Sequence, residues 1–209
     1  MAYLILVRHG ISEWNKKGLW TGWKDPELAK EGYDEARRAG EQIKDIKIDK
    51  AYTADLKRTI ATLEEIKKTL DRPDLETIID WHLRERNYGD LAGKNKWEVK
   101  EQYGEKQFMA WRRGWDEPIP NGETLKDVYN RVVPFYQEKI LPELSKGLNI
   151  LIVASGNSLR ALVKFLENIP DDQISSLEIG TGEVYVYKIE GNKIIGKEIR
   201  AVNQMKGKI

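Results

Sequence analysis

Residues 3–10 read Tyr3-Leu4-Ile5-Leu6-Val7-Arg8-His9-Gly10, an apolar run that stops abruptly on an arginine, a histidine and a glycine. A run of leucine and β-branched side chains suits an inner strand of a parallel sheet whose two faces are both covered. Ligands of open α/β sheets gather beyond the carboxyl ends of such strands, which puts Arg8 and His9 where chemistry is expected. Gly10 removes side-chain bulk where a bound anion could approach the backbone. The plainer reading is a surface histidine that happens to follow a strand. The chain has only two histidines, and the arginine and glycine flanking this one favour a functional reading.

A second stretch repeats the pattern. Residues 149–160 read Asn149-Ile150-Leu151-Ile152-Val153-Ala154-Ser155-Gly156-Asn157-Ser158-Leu159-Arg160: strand, short turn, then helix. Ser155 stands before a glycine as His9 does. If His9 ends a neighbouring strand, a Ser155–His9 nucleophile–base pair is geometrically conceivable. The backbone N–H groups of Gly156 and Asn157 could then receive an oxyanion, with Ile11 lining an apolar acyl pocket. The G-x-S-x-G elbow is absent, which counts against such a hydrolase.

Between and after these stretches, helices and strands alternate. The spacing predicts a helix from Lys30 to Ile46, carrying Ala36, Ala39 and Ile43 on one face. A short strand follows at Lys50–Thr53, then a helix over Asp55–Leu70 with Asp55 as its N-cap. Further helices are expected at Trp97–Arg113, Glu123–Ile140 and Ser158–Asn168. Val184–Ile189 and Lys193–Ile199, joined by Glu190-Gly191-Asn192, read as a hairpin at the sheet edge. Asn203–Ile209 is polar and expected to fray. The pattern specifies an α/β three-layer sandwich: a mostly parallel central sheet, helices on both faces and a late edge hairpin. At 209 residues, one domain spanning 1–209 is the natural expectation.

Composition excludes several functions. The formal net charge is +1, without the basic excess of a nucleic-acid binder. No stretch is apolar enough to span a bilayer, and no signal-peptide pattern is visible, so a cytoplasmic protein is expected. There is no cysteine, and two histidines without ligand spacing point to no metal. Seven tryptophans are better explained by packing under loops than by base stacking.

Shorter blocks complete the picture: Thr21-Gly22-Trp23, Ala51-Tyr52-Thr53 with Leu56-Lys57-Arg58, Glu85-Arg86 with Tyr88-Gly89, Asn95-Lys96, Trp111-Arg112-Arg113, and Pro120-Asn121-Gly122-Glu123-Thr124-Leu125. In this order, and together with the two strand-end motifs, they resemble the cofactor-dependent phosphoglycerate mutases of the histidine phosphatase superfamily. The resemblance runs from about Leu4 to about Tyr187. It implies phosphoryl transfer through a phosphohistidine, interconverting 3- and 2-phosphoglycerate, with 2,3-bisphosphoglycerate as primer. The partner it implies is a small phosphorylated sugar acid, and it suggests a homodimer.

By that resemblance His9 is the residue phosphorylated and Glu85 the proton carrier. Arg8 and Arg58 hold phosphate, joined by Asn15 and Gly156. Tyr88, Lys96, Arg112 and Arg113 take the other anionic end of the substrate, with Ser12, Thr21, Gly22 and Asn157 as further polar contacts. His82 matches no catalytic position and reads as a surface residue. Three departures stand out. Ser155 replaces the second catalytic histidine, Ile11 replaces a glutamate or threonine, and Arg84 replaces an asparagine. A lost donor to the transferring phosphoryl group costs about 10²–10³ in rate. Ser155 restores part of that, and Ile11 adds an apolar face, so impaired mutase activity is expected. The alternatives are the Ser155–His9 hydrolase and a catalytically inactive binder of phosphorylated ligands.

Overall fold

The apolar N-terminal run forms strand β1, Ala2–Arg8, in the computed structural model, which describes residues 1–201. The tail at Asn203–Ile209 lies outside the described residues. β1 sits inside a six-stranded sheet together with β2 (Lys50–Thr53), β3 (Thr77–Ile79), β4 (Ile150–Ala154), β5 (Val184–Glu190) and β6 (Lys193–Ala201), in the order β3-β2-β4-β1-β5-β6. β1 and β4 are parallel, as are β2 and β4 and β2 and β3, whereas β5 and β6 form an antiparallel pair at one edge. The sheet is therefore mostly parallel with a late edge hairpin, as the sequence predicts. β3 is an additional strand that its three-residue length hid from pattern reading.

Side-chain alternation along β1 feeds two separate cores. Leu4 and Leu6, with Ile150 and Ile152 of β4, pack against Val128 and Val132 of α5 (Leu125–Phe135) and Leu159 and Leu162 of α7 (Gly156–Glu167). Ile5 and Val7, with Leu151 and Val153, face Ala39 of α2 (Lys30–Glu41) and Leu63 and Ile66 of α3 (Lys57–Thr69). All four β1 side chains are at most 1% exposed. Truncating any one of them to alanine removes about 2–5 kcal/mol of stability. Helices on both faces complete the three layers.

Register places the chemistry. Arg8 pairs with Ala154, and the His9 N–H donates to the Ala154 carbonyl at 3.0 Å, so His9 and Ser155 leave the sheet side by side. A third apolar cluster (Trp20, Leu91, Val99, Phe108, Trp111, Ile119) supports α4, Lys96–Arg113. Both ends of α4 contribute to the wall of the cavity described below. Its helical course breaks at Gly104, where φ is 81° and ψ 160°.

Several local expectations are corrected. Asp55 is not the cap of α3; Leu56 occupies that position without a side-chain bond, and the Asp55 carboxylate instead holds Arg84 through two 2.6 Å hydrogen bonds. α2 stops at Glu41, although Ile43 and Ile46 still pack in the core. α5 opens on a capping box between Thr124 and Asp127. Its backbone runs on through a π turn at Tyr136–Ile140 into α6, Leu141–Ser145, after Pro134 has removed one amide donor. α7 begins at Gly156, two residues earlier than the pattern predicts. Gly10 serves packing rather than anion approach: a Cβ there would lie 2.2 Å from the Gly32 carbonyl oxygen in α2. Of the tryptophans, Trp20 and Trp111 are buried while Trp23, Trp81 and Trp97 are exposed, so loop packing does not account for them all.

Candidate active site

His9 follows β1 and is 2% exposed. Its Nδ1–H donates to the Gly10 carbonyl at 2.7 Å, which leaves Nε2 as the unprotonated nitrogen. Burial, followed by the charges of Arg58 and Arg8, holds its pKa well below 6.5. The imidazole is therefore neutral at pH 7, with one lone pair available. Arg58, from the first turn of α3, directs Nε at His9 Nε2 across 3.3 Å. Its two terminal nitrogens donate to the carbonyls of Lys24 (3.0 Å) and Gly22 (2.8 Å), which fixes the guanidinium plane.

Arg8 donates from Nη1 to the Ile179 carbonyl at 2.6 Å, while its Nε is buried without a hydrogen-bond partner. Gly156 makes room for it: a Cβ on Gly156 would sit 3.3 Å from both Cζ and Nε of Arg8. Glu85 accepts at Oε1 from the N–H groups of Arg86 (2.7 Å) and Asn157 (3.2 Å), so its carboxylate meets the positive end of α7. Trp23 Nε1 and Arg131 Nη2 anchor the Glu85 carbonyl at 2.8 and 3.0 Å. Asn157 donates from Nδ2 to the Tyr88 hydroxyl at 2.9 Å and accepts from Arg160 at 2.8 Å.

Lys96 opens α4, and Arg112 and Arg113 close it. Burial, with Arg112 and Arg8 nearby, pulls the Lys96 pKa down to about 7. Arg113 Nη2 pairs with Glu178 at 2.6 Å. These side chains, with Asn15, Thr21 and Gly22, line a cavity open to solvent. Its wall carries the cations Arg8, Arg58, Lys96, Arg112, Arg113 and Arg160 against the carboxylates Glu85 and Glu178. Such a surplus suits an anion whose charge is spread over several oxygens. Among the described residues no cluster of His, Asp and Glu side chains could hold a metal.

Two of the candidate residues do not line this cavity. Ser12 is fully buried as the N-cap of α1, Glu13–Lys16, where its hydroxyl accepts from the Asn15 N–H and donates to Asn15 Oδ1. Ser155 is the N-cap residue of α7 and 0% exposed, yet its Oγ makes no hydrogen bond. Neither ring nitrogen of His9 bonds to it, and Glu85 takes the Asn157 N–H, so the conceivable nucleophile–base pair with its oxyanion hole does not form. Ile11 is likewise absent from the cavity wall, which removes both its apolar face and the acyl pocket; its N–H donates to Glu35 Oε2 at 2.7 Å. His82 is half-buried rather than a plain surface residue, set between the rings of Trp81 and Phe135 with Nδ1 2.7 Å from Asp80. Arg160, Glu178 and Thr181 are cavity residues that sequence reasoning missed. Arg160 ends the second quoted motif, a signal that was present; Glu178 and Thr181 stand in a short polar loop with no pattern to mark them.

Residues 4–203 match the family model of the histidine phosphatase superfamily, branch 1. The chain belongs to this superfamily. Within it, the 2,3-bisphosphoglycerate-dependent phosphoglycerate mutase of Parvibaculum lavamentivorans is 47% identical over 90% of both chains. The phosphoglycerate mutase of Schizosaccharomyces pombe is 46% identical over 94% of each. Among solved structures, YhfR of Bacillus stearothermophilus superposes with a TM-score of 0.79 at 26% identity, covering 93% of this chain and 94% of that one. The α-ribazole phosphatase of Shigella flexneri gives 0.81 at 25% identity, over 95% and 96%. The histidine phosphatase fold is thus shared with these structures, and sequence identities of 46–47% link the chain to phosphoglycerate mutases.

Proposed function

We propose that the protein transfers a phosphoryl group through His9 between the hydroxyls of a small phosphorylated acid, in the manner of a phosphoglycerate mutase acting on 3- and 2-phosphoglycerate. The carrying observation is the His9 tautomer: Nδ1–H is committed to the Gly10 carbonyl and Nε2 is left unprotonated among fixed cations. Nε2 attacks phosphorus as the P–O bond of the ester breaks. The phosphoimidazolium so formed keeps its proton on Nδ1, hydrogen-bonded to the Gly10 carbonyl, and the leaving oxygen takes the proton carried by Glu85 in its protonated form. In the return step the acceptor hydroxyl gives its proton to Glu85 while its oxygen bonds phosphorus and the P–N bond breaks. Arg8 and Arg58 spread their charge over the equatorial oxygens, and Lys96, Arg112 and Arg113 orient the far end.

The residues present fit a bisphosphorylated primer, because the buried, unpartnered Arg8 Nε and the far-end cations offer anion sites at two places along one cavity. When bound, 2,3-bisphosphoglycerate supplies the phosphoryl group that primes His9. Ser155 in the place of a second histidine leaves transfer slower than the fold allows, because its hydroxyl is not on the cavity wall. A cytoplasmic site of action belongs to the same reading; no helix among the described residues is long and apolar enough to cross a membrane. A homodimer rests on the resemblance alone and is read by sedimentation velocity.

The test is interconversion of 3- and 2-phosphoglycerate with and without primer, together with mapping of the acid-labile phosphate. Primer-dependent turnover and label on His9 are expected. Label on His82, or label surviving in His9→Gln, would refute the assignment. Binding without turnover or label would leave the inactive binder as the correct reading.

A further inference from the structure

Glu178 is the carboxylate that a phosphate site of this kind does not need. It follows the 3₁₀ turn Ile174–Ser176 and lies on the cavity wall, one residue before the carbonyl that holds Arg8. Glu85, the other wall carboxylate, is engaged by two backbone N–H groups. Glu178 instead meets a side-chain cation, Arg113, at 2.6 Å, with the two side chains only 22% and 13% exposed. Burial alone would favour its neutral form; the hydrogen bond from Arg113 and the charges of Arg113, Arg112 and Arg8 outweigh that and keep the carboxyl below its usual range. The wall therefore carries a permanent negative charge among the cations available to a ligand's second anionic group.

We infer that Glu178 is a specificity-determining residue: paired with Arg113, it weakens the hold on a ligand's carboxylate and narrows the preference for phosphorylated acids over uncharged phosphorylated alcohols. This rests on the phosphoryl-transfer reading and names the substrate class more closely. A carboxylate arriving at Arg113 shares its guanidinium with Glu178 and sits beside a like charge, which is costly where water is largely excluded. A hydroxyl at the same place carries no such penalty and can donate to the carboxylate. Because specificity is a difference of affinities, one such repulsion shifts the choice between the two ligands without touching His9. The plainer role, holding Arg113 in place, gives the opposite sign on removal: losing the support would weaken carboxylate binding.

Calorimetry with two probes separates these roles. 3-Phosphoglycerate and glycerol 3-phosphate share the phosphate ester and differ by a carboxylate against a hydroxymethyl group. In Glu178→Gln, whose amide oxygen can still accept from Arg113, affinity for 3-phosphoglycerate is expected to rise about tenfold, while that for glycerol 3-phosphate moves less than about threefold. Glu178→Ala serves if the glutamine variant fails to fold, with the same direction expected. An unchanged ratio of the two affinities, or weaker 3-phosphoglycerate binding, overturns the inference and leaves the phosphoryl-transfer reading standing. If neither ligand binds the parent or the variants, both fall together.

Discussion

Arg58 points its Nε–H at the lone pair of His9, 3.3 Å from Nε2. In the proposed reaction, the nitrogen that would attack phosphorus is thus occupied at rest by the same arginine that would receive the phosphoryl oxygens. An incoming phosphate that took over the guanidinium would uncover the nucleophile in one exchange.

Replacing Arg58 by methionine is expected to raise the His9 pKa toward 6.5, because its charge is the second cause of the depression after burial. Turnover should fall about 10²–10³-fold with the loss of charge opposite the transferring group. An NMR titration of the His9 ring reads the first effect. An unshifted pKa would mean that burial and Arg8 set it without Arg58.

His9 also ties stability to pH. Its folded pKa lies below that of the unfolded chain, so between about 6.5 and the folded value the unfolded state binds a proton that the native state refuses. Stability contributed by neutral His9 is complete above about pH 6.5 and declines as pH falls below it. In His9→Gln, urea unfolding over pH 4–7 should show a shallower acid-side decline; an identical slope would show that carboxylates account for all of it.

Lys96, with a pKa of about 7, is mostly neutral in the free protein at pH 8.5. An anion bound beside it restores the charge, so binding of 3-phosphoglycerate at that pH is expected to take up close to one proton, and KM should climb as pH rises above 7. Calorimetry in two buffers of different ionisation enthalpy measures the uptake. Lys96→Met should abolish it, and Lys96→Arg should flatten the pH dependence of KM.

Ser155→Ala is expected to hold or raise stability, by up to about 1 kcal/mol. No capping bond is lost, and a buried hydroxyl without a partner disappears. Ser155→His should raise mutase turnover about 100-fold by restoring a donor to the phosphoryl group. Since Ile11 stands off the cavity wall, the single variant is the informative one. A parent as fast as Ser155→His would show that the serine is adequate.

Gly156→Ala should weaken inorganic phosphate binding about tenfold. The added Cβ crowds Arg8 at 3.3 Å, while alanine suits the first turn of α7 on propensity. Unchanged affinity with unchanged stability would show that Arg8 can move aside freely.

The layers, the central parallel strands and the edge hairpin were legible because period-2 and period-3.6 patterns are written along β1, β4, α2 and α7. Arg8, His9 and the Asn157 segment were legible for a related reason: they stand directly after apolar runs. Ser12 misled because a small hydroxyl in a polar loop looks the same whether it caps a helix or meets a ligand. Ile11 misled because its neighbours in sequence are site residues, and only the tertiary position of Glu35 decides where it goes. Glu178 was invisible, since its meaning depends on Arg113, which reaches it only through folding.

The break in α4 has a consequence for how the cavity can be tuned from outside. Gly104 is held at φ 81° and ψ 160°, a region essentially reserved for glycine, and nothing lies within 4 Å of where its Cβ would be. Lys96 and the Arg112-Arg113 pair are therefore carried on two short rods set at an angle, not on one. An alanine at 104 would meet no steric obstacle from its neighbours, only a torsional one. The backbone angles at one solvent-facing glycine, remote from the chemistry, thus share in setting the spacing between the two groups of far-end cations with the hydrogen bonds that hold each end of α4.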